Sequence, residues 1–336
     1  EQVKGAVLAL QNDKDFIAVL CGDEKKIRAE LALYKKYDAS RVEIVHAPEV
    51  ITNDDIPTKA VRTKKNSSTV TAFDLLKEGK ADAVVSSGAT GAVLTLGRIK
   101  GVSRPALCPR LPDLSGRGTL LCDCGANLEC KSVNLVHFAM MATAYAEAVY
   151  GWKNPKVGLL NNGTEDHKGD DLHREANALL KETAGVNYVG NVEGRDIMVG
   201  DVDVVVSDGY TGNIALKSIE GCGKAISGIM KRGFKKNLFA KLRALLVMDV
   251  IKSVKKSADY ETMGGAVFLG LTKPVIKAHG NSKAFGFSIC ISQAINAVRG
   301  DMVGRIERML AANAEKAAAA ENAQAEAAPE KDDGAL

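Results

Sequence analysis

The sequence is poor in aromatic side chains and has no long apolar run. Aromatic residues make up 5% of its 336 residues, with a single Trp, which argues against an aromatic-lined surface for nucleic acid. No apolar run reaches the roughly 18 residues that a membrane-spanning helix needs. The seven cysteines form no regular framework, which favours a reducing compartment over a disulfide-stapled secreted fold.

The sequence shows no signal peptide, and its composition is that of an ordinary globular protein. It opens on Glu1 rather than Met, without a charged-then-apolar leader, so we expect a cytoplasmic protein with an upstream piece missing. Hydrophobic residues at 46% and charged residues at 26% exclude wholesale disorder and collagen-like repeats. The length suggests one large or two ordinary domains.

The small positive charge is concentrated in one segment. The whole chain carries 45 Lys+Arg against 41 Asp+Glu, a net charge of +4, whereas residues 229–258 hold nine basic residues and one acid, Asp249. Phe234 and several leucines in this segment recur at helical spacing, which predicts a basic amphipathic helix. Such a helix suits an anionic membrane surface or an acidic protein. An ordinary core-facing helix and a nucleic-acid surface remain alternatives. The predicted contact residues are Lys235, Lys236, Leu238, Lys241, Leu242, Arg243, Leu245 and Leu246.

Short β-branched runs alternate with helical patterns along residues 1–310. Fully apolar strands between helices favour a parallel sheet covered on both faces. We therefore predict one domain with a three-layer α/β/α fold and a mostly parallel sheet, into which the basic segment is inserted. Residues 311–336 are rich in alanine and read as a solvated tail, partly helical or disordered. The predicted strands are residues 16–20, 42–45, 83–85, 120–122, 157–160, 202–206 and 274–276, and two of the predicted helices are residues 24–37 and 68–77.

The turns that follow these strands share a composition of Gly, Ser, Thr and Asn. Open parallel sheets bind ligands beyond the carboxyl ends of their strands, so we expect neighbouring turns to converge on one cleft. Glycines let backbone N–H groups approach a ligand, and a following helix N-terminus favours an anion such as phosphate. The turns are residues 86–92, 123–127, 161–164, 207–213 and 279–282.

Signatures of other chemistries are missing or weak. No nucleotide-binding G-x-x-x-x-G-K-[ST], no convincing G-x-G-x-x-G after a strand and no G-x-S-x-G elbow occurs. We interpret residues 166–173, the richest set of possible metal ligands, as a helix start with acids in its first turn. Cys122, Cys124 and Cys130 are interpreted as small buried apolar residues. We therefore expect neither a metal nor a cofactor.

Taken together, these turns resemble those of a known family, the bacterial phosphate acyltransferases of phospholipid synthesis, over roughly residues 1–300. Family members begin with a short strand and a Met-Gly-Gly-Asp loop upstream of the stretch that matches Val3. Ala89 stands where the family usually has Asn, and Asn162 where it often has a small aliphatic residue. The matching stretches are residues 60–68, KEGKADAVVSSGATGA at 77–92, DCGAN at 123–127, VGLLN at 157–161, residues 168–169, GNVEGRD at 190–196, DGYTGN at 208–213, residues 264–266 and HGNS at 279–282.

The resemblance implies an enzyme and its partners. It implies a homodimer with a fold like those of isopropylmalate dehydrogenase and phosphate acetyltransferase. It further implies transfer of a long-chain acyl group from acyl carrier protein to inorganic phosphate, and delivery of the acyl phosphate to a membrane acyltransferase. Members attach peripherally to the inner face of the cytoplasmic membrane through a region that corresponds to residues 229–258.

Residue roles in such a reaction are hypotheses at this stage. His279 would steady the oxyanion or trim a phosphate proton, Asp208 would orient a cation or accept that proton, and Lys217 or Arg195 would supply the cation. Three rivals stay open: a short-chain acyl-CoA phosphate acyltransferase, a nicotinamide-dependent dehydrogenase and a non-catalytic membrane scaffold. The predicted substrate-binding residues are Thr90, Gly91, Asn127, Asn161, Lys168, Arg195, Thr211, Gly212, Asn213, Asn281 and Ser282.

Overall fold

Helices and strands alternate along the chain in a computed structural model. The structure describes residues 1–52, 54–88, 96–237, 239–240, 244, 246–257 and 262–327. The strands are β1 (Ala18–Gly22), β2 (Val42–His46), β3 (Val84–Ser86), β4 (Ala106–Cys108), β5 (Arg110–Leu111), β6 (Thr119–Cys122), β7 (Lys156–Leu160), β8 (Asn187–Val192), β9 (Val204–Val206), β10 (Ala266–Leu269) and β11 (Val275–Lys277). The helices are α1 (Gln2–Asn12), α2 (Glu24–Leu31), α3 (Pro57–Thr63), α4 (Ser68–Lys77), α5 (Ser132–Tyr150), α6 (Asp171–Glu182), α7 (Gly209–Lys235), α8 (Met248–Ser257), α9 (Ala284–Arg299) and α10 (Met302–Ala327).

The described strands lie in three sheets. A five-stranded sheet has the order β5-β6-β9-β7-β8, in which β6, β9, β7 and β8 are parallel and β5 is antiparallel. A four-stranded sheet has the order β3-β11-β10-β4, with β3 parallel to β11, and β1 and β2 form a parallel pair. The predicted mixed α/β fold with parallel strands is confirmed.

The largest core cluster forms around α5. This helix is buried over most of its surface, with Phe138 and Tyr145 fully inside. They belong to one apolar cluster with Leu120, Leu159 and Val206 of the five-stranded sheet. Each such large side chain contributes about 1.5–3 kcal/mol when it leaves water. The packing holds the strands whose carboxyl ends carry the polar turns.

Helix starts agree with the sequence better than helix ends. α2 begins at Glu24, as predicted, and Asp23 caps it by accepting a hydrogen bond from the Lys26 N–H. The helix ends at Leu31 rather than at Tyr37, so the predicted helix was too long. Beyond Leu31 the chain turns, and Tyr37 packs against an apolar cluster formed from α1 and α2. That contact is tertiary and leaves no mark on local spacing.

The basic segment and the tail both continue longer helices. α7 runs unbroken from Gly209 to Lys235, so the basic segment begins inside a helix that starts much earlier in the chain. In the tail, residues 311–327 form the last part of α10. There the Lys316 ammonium donates to the Glu182 carbonyl oxygen at 2.7 Å. Among the described residues, no helix is long and apolar enough to span a bilayer.

Candidate functional site

Three of the five predicted polar turns, together with the turn after β8, leave one edge of the five-stranded sheet. The strand register places Cys122, Val206 and Leu159 side by side at the carboxyl ends of β6, β9 and β7. Leu160 in turn lies beside Val192 at the end of β8. The residues that follow these strands are therefore neighbours across the sheet. This edge gathers the predicted turns that begin after β6, β7 and β9, together with the turn after β8.

Asp123, which directly follows β6, organises the first of these turns. Its Oδ1 accepts hydrogen bonds from the N–H groups of Leu107 (2.8 Å) and Ala126 (3.2 Å). Its Oδ2 accepts from the Asn127 N–H (2.7 Å) and the Asn127 side-chain amide (2.9 Å). Asp123 is fully buried, and this burial raises the pKa of its carboxyl group although all four donors favour the charged form. The predicted binding residue Asn127 is thus a buried part of the turn's framework.

The start of α7 packs directly on that turn. Asp208 caps the helix, because its Oδ1 accepts from the N–H groups of Tyr210 and Thr211 at 2.9 Å each. A Cβ added at Gly212 would overlap the carbonyl oxygen of Asp123, so only glycine allows this approach. A Cβ at Gly125 would lie 3.6 Å from the Asn213 side chain. The predicted residues Asn127, Asp208, Thr211, Gly212 and Asn213 are therefore brought together.

The turn after β7 is closed by two asparagine side chains. The Asn161 amide donates to the Lys168 carbonyl oxygen at 3.2 Å, and the Asn162 amide oxygen accepts from the Gly169 N–H at 3.1 Å. The stem of Lys168 lies over Gly163, where an added Cβ would come 2.9 Å from its Cγ. From below, the buried Asn191 donates its amide to the Glu165 carbonyl oxygen at 2.9 Å. The closed turn fixes the backbone that carries Lys168.

The three predicted cations differ in their partners. The Lys217 ammonium lies 2.9 Å from a Glu220 carboxylate oxygen. Arg195 is ion-paired with Glu193 and Asp196. Lys168 is half-buried, and no carboxylate in the described part of the chain pairs with it. Of the three, Lys168 offers its charge most directly to an anion.

The turns after β3 and β11 form a second group. Lys277 and Ser86 are paired in parallel register at the ends of these strands. In the turn that follows, His279 Nδ1 accepts from the Asn281 N–H at 3.2 Å and the His279 carbonyl oxygen accepts from the Ser282 N–H at 2.9 Å. No hydrogen bond between described residues joins this group to the edge of the five-stranded sheet. Thr90 and Gly91 lie outside the described residues.

Cysteine and metal chemistry find little support at this edge. Cys124 is buried, and burial raises the pKa of its thiol well above the usual value, as it does for Cys122. Asp170 caps α6 by accepting from the His173 N–H at 3.0 Å, so the acidic stretch is a helix start as predicted. Within the residues described, no three His, Cys, Asp or Glu side chains gather as metal ligands do.

The second half of α7 is exposed and both apolar and basic. Lys235 and Lys236 point into solvent. Beyond α7, Leu246 is 83% exposed. The other predicted contact residues, Leu238, Lys241, Leu242, Arg243 and Leu245, lie outside the described residues. Further exposed apolar side chains of this region are Ile226, Ile229, Met230, Phe239, Val247, Val250 and Val254.

The sequence assigned no role to Asp123, the first residue after β6, or to Lys277, the last residue of β11. Asp123 had a usable signal, because it directly follows a buried strand. Lys277 likewise ends a buried run immediately before the Ala-His-Gly turn. Their importance is visible only in the structure, where Asp123 collects four donors and Lys277 lies beside Ser86.

Comparisons with known proteins agree on one family. The profile of a family described as "Fatty acid synthesis protein" matches residues 1–305. A phosphate acyltransferase from Thermoanaerobacter pseudethanolicus is 46% identical over 312 residues, which cover 91% of this chain and 92% of that protein. One from Fusobacterium nucleatum is 50% identical over 285 residues, 83% of this chain and 86% of that protein.

Solved structures agree on the fold. The EutD phosphotransacetylase from Staphylococcus aureus has a TM-score of 0.59 at 18% identity, covering 88% of this chain and 91% of its own. A phosphotransacetylase from Streptococcus pyogenes has a TM-score of 0.58 at 16% identity, covering 88% and 90%. At these identities the likeness concerns the fold alone.

Proposed function

The chain belongs to the fatty acid synthesis protein family, and from that membership we infer that it is a phosphate acyltransferase. The reaction moves a fatty acyl group from the thioester of acyl carrier protein onto inorganic phosphate. Its product is an acyl phosphate for phospholipid synthesis. The observation that carries the assignment to this edge of the sheet is Lys168, half-buried without an acidic partner among the described residues.

The chemistry asks the protein for positioning and charge. A phosphate oxygen attacks the thioester carbon, the C–O bond forms, the C–S bond breaks, and the carrier thiol leaves with a proton. A thiol leaves readily because its ordinary pKa is only about 8.5. Catalysis can then rest on holding phosphate beside the thioester and on stabilising the oxyanion. No step of this scheme uses a metal or a coenzyme.

We assign the roles from the hydrogen-bond donors that are not already bonded to another described residue. The Tyr210 and Thr211 N–H groups are already bonded to Asp208, so the Thr211 hydroxyl and the Asn213 amide are the donors that the start of α7 offers. Lys168 supplies the positive charge for phosphate. In this arrangement Asp208 acts first as the cap that orients Thr211 and Asn213.

Lys217 and Arg195 would act less directly than Lys168. Arg195 is ion-paired with Glu193, and Lys217 is ion-paired with Glu220. Either side chain must leave its carboxylate before it can bind phosphate. His279 would contribute only where the second group of turns closes over the bound thioester. Asn281 and Ser282 belong to the same turn and would act with it.

The test measures product directly. Palmitoyl-acyl carrier protein and phosphate are incubated with the protein, and palmitoyl phosphate is sought by mass spectrometry. Lys168→Met and Asn213→Ala are each expected to lower kcat/KM about 100-fold, the scale seen when one donor to a developing oxyanion is removed. Lys153→Met, at an exposed lysine before β7, is the matched control and should keep the full rate.

Contrary outcomes are distinct. No acyl phosphate from the unaltered protein would remove the proposed reaction. Full rates in both site variants would keep the reaction and remove these residue roles. Product from a short-chain acyl-CoA but not from the carrier-bound donor would favour the rival short-chain acyl-CoA phosphate acyltransferase.

We further propose that the exposed end of α7 and the segment after it contact an anionic membrane surface. Apolar side chains such as Ile226 and Ile229 face solvent there beside Lys231, Arg232 and Lys235. Each Lys or Arg near an anionic leaflet contributes on the order of 1 kcal/mol. Attachment at the inner face of the cytoplasmic membrane would bring the product to a membrane acyltransferase.

Flotation with vesicles containing anionic lipid tests this surface without any carrier present. The unaltered protein should float, and Ile226→Ser with Ile229→Ser should reduce the floating fraction severalfold. Leu114→Ser is the control, since Leu114 is 85% exposed in a different turn. Equal flotation of all three proteins would exclude a lipid-facing role and leave the acidic carrier protein as the partner of the basic residues.

We also propose that the chain forms a homodimer, as the resemblance to the family implies, through a surface other than the membrane-facing side chains of Ile226 and Ile229. Light scattering after gel filtration should give twice the 35.6 kDa of one chain. A monomer mass at micromolar concentration would contradict this proposal.

A further inference from the structure

Lys277 ends β11 in an unusual position for a lysine. In the sheet it lies between Ser86 of β3 and Ala266 of β10. Its side chain is half-buried, and its ammonium donates to the carbonyl oxygen of Gly88 at 3.3 Å. Throughout the described ranges, no carboxylate forms an ion pair with it.

A half-buried ammonium without an anion is unfavourable in the isolated protein. Burial lowers the pKa of Lys277, and the strand residues on either side contribute no charge that offsets it. One carbonyl oxygen replaces only a small part of the lost hydration. The cost would be recovered if a negatively charged group from outside the protein completes the site.

The surroundings of Lys277 suit a phosphate group. The hydroxyls of Ser86 and Ser87 lie on the turn that Lys277 contacts, and His279 follows two residues later. Directly after this turn, a Glu1 carboxylate oxygen accepts a hydrogen bond from the Ala284 N–H at 2.7 Å, at the first turn of α9. An anionic oxygen is therefore already accommodated beside this corner.

We propose that Lys277 binds a phosphoryl oxygen of a substrate and so determines substrate affinity. The inference rests on the proposed reaction, in which two groups carry phosphate oxygens. One is inorganic phosphate, and the other is the phosphodiester that joins the thiol arm to the carrier protein. Lys277 and Lys168 then serve different turns: Lys168 lies at the edge of the five-stranded sheet and Lys277 at the end of β11.

Steady-state kinetics distinguishes the two sources. Lys277→Met keeps the length of the side chain and removes its charge, and we expect a KM about tenfold higher for one substrate with kcat within threefold. A higher KM for inorganic phosphate identifies inorganic phosphate as the ligand. A higher KM for palmitoyl-carrier protein, with an unchanged KM for a palmitoyl-pantetheine donor that lacks the phosphodiester, identifies the carrier arm.

Two further variants separate binding from folding. Lys277→Arg keeps the charge and should recover most of the lost affinity, which a purely structural role would not predict. Lys273→Met, at the lysine just before β11, is the control and should match the unaltered protein. Should Lys277→Met fail to fold by circular dichroism, Lys277→Gln replaces it. Unchanged KM values for both substrates in a folded, uncharged variant would overturn the proposal.

A failure of the proposed reaction would be recognised separately. In that case the unaltered protein makes no acyl phosphate, and the test becomes calorimetric titration with inorganic phosphate and with phosphopantetheine. At least tenfold weaker binding of one probe by Lys277→Met supports the site. Equal affinity of both proteins for both probes, or no binding by either, overturns it.

Discussion

Asp123 and Asn127 form a closed pair in which one carboxylate oxygen accepts from both the backbone N–H and the side-chain amide of the same asparagine, at 2.7 and 2.9 Å. The second amide hydrogen of Asn127 reaches the Pro105 carbonyl oxygen at 2.8 Å. The turn after β6 is thus tied to the chain before β4. Because α7 packs on this turn, the pair also fixes where the helix begins.

Asp123→Asn is expected to destabilise the protein by about 2–4 kcal/mol. The NH2 group of the new asparagine would face N–H donors that the Asp123 carboxylate now accepts from, in a buried site. Urea unfolding at pH 7 measures the change. Asp74→Asn, at an exposed position on α4, is the control and should stay within about 0.5 kcal/mol of the unaltered protein. A midpoint equal to that of the control would contradict the role given to Asp123.

Gly212→Ala and Gly221→Ala make a matched pair on one helix. At Gly212 the added methyl group would overlap the Asp123 carbonyl oxygen, so α7 must move and both stability and activity should fall, stability by more than about 2 kcal/mol. At Gly221 the space is open, and alanine should stabilise the helix by about 0.5–1 kcal/mol. Thermal unfolding and the acyl phosphate assay check both. Equal effects of the two substitutions would exclude a close approach at Gly212.

Lys277→Met should make the protein more stable at neutral pH even as it weakens substrate binding. The pKa of Lys277 is lowered in the folded protein, so the unfolded chain binds its proton more tightly. The penalty is therefore complete below the folded pKa and disappears as the pH rises towards 10.5, the ordinary value. We expect a Tm about 2 °C higher than that of the unaltered protein at pH 7, with the difference shrinking at alkaline pH. A difference in Tm between the two proteins that grows as the pH rises would contradict this prediction.

Protonation of His137 is expected to lower the stability of the protein in mild acid. Burial lowers its pKa below the ordinary 6.5, so the unfolded chain takes up the proton first. Stability from this group is complete above pH 6.5 and falls as the pH drops to the folded pKa. His137→Gln can keep a hydrogen bond with the Ser103 hydroxyl, which lies 3.3 Å from the ring. The variant should therefore lose less stability between pH 8 and pH 5, measured by urea unfolding. A parallel loss in both proteins would contradict this.

Local patterns predicted where elements begin, and tertiary contacts decided much of the rest. The starts of α2 and α4 and the apolar strand runs are short-range features, and each was found within about two residues. Tyr37 lies beyond the end of α2 and packs against the cluster of Val7, Ile27 and Leu31, a tertiary contact that spacing cannot reveal.

At the site, too, the sequence could not show which basic residues are already ion-paired in the folded protein. Sequence identifies Lys168, Lys217 and Arg195 equally well as charges near polar turns. Only the folded arrangement shows that Glu220 and Glu193 neutralise two of them. Lys277 was missed because a lysine after an apolar run looks like an ordinary strand end. That no acidic residue of the described chain pairs with it is visible only once the three strands are packed together.

The unbroken course of α7 separates two tasks in space. Its 27 residues span about 40 Å, from the cap at Asp208 to the exposed basic end. A membrane bound from Ile226 onward would lie about 27 Å or more along the helix from the cap at Asp208, away from the reacting atoms. Changes at the far end should accordingly redistribute the enzyme between water and lipid while the turnover of each molecule stays the same.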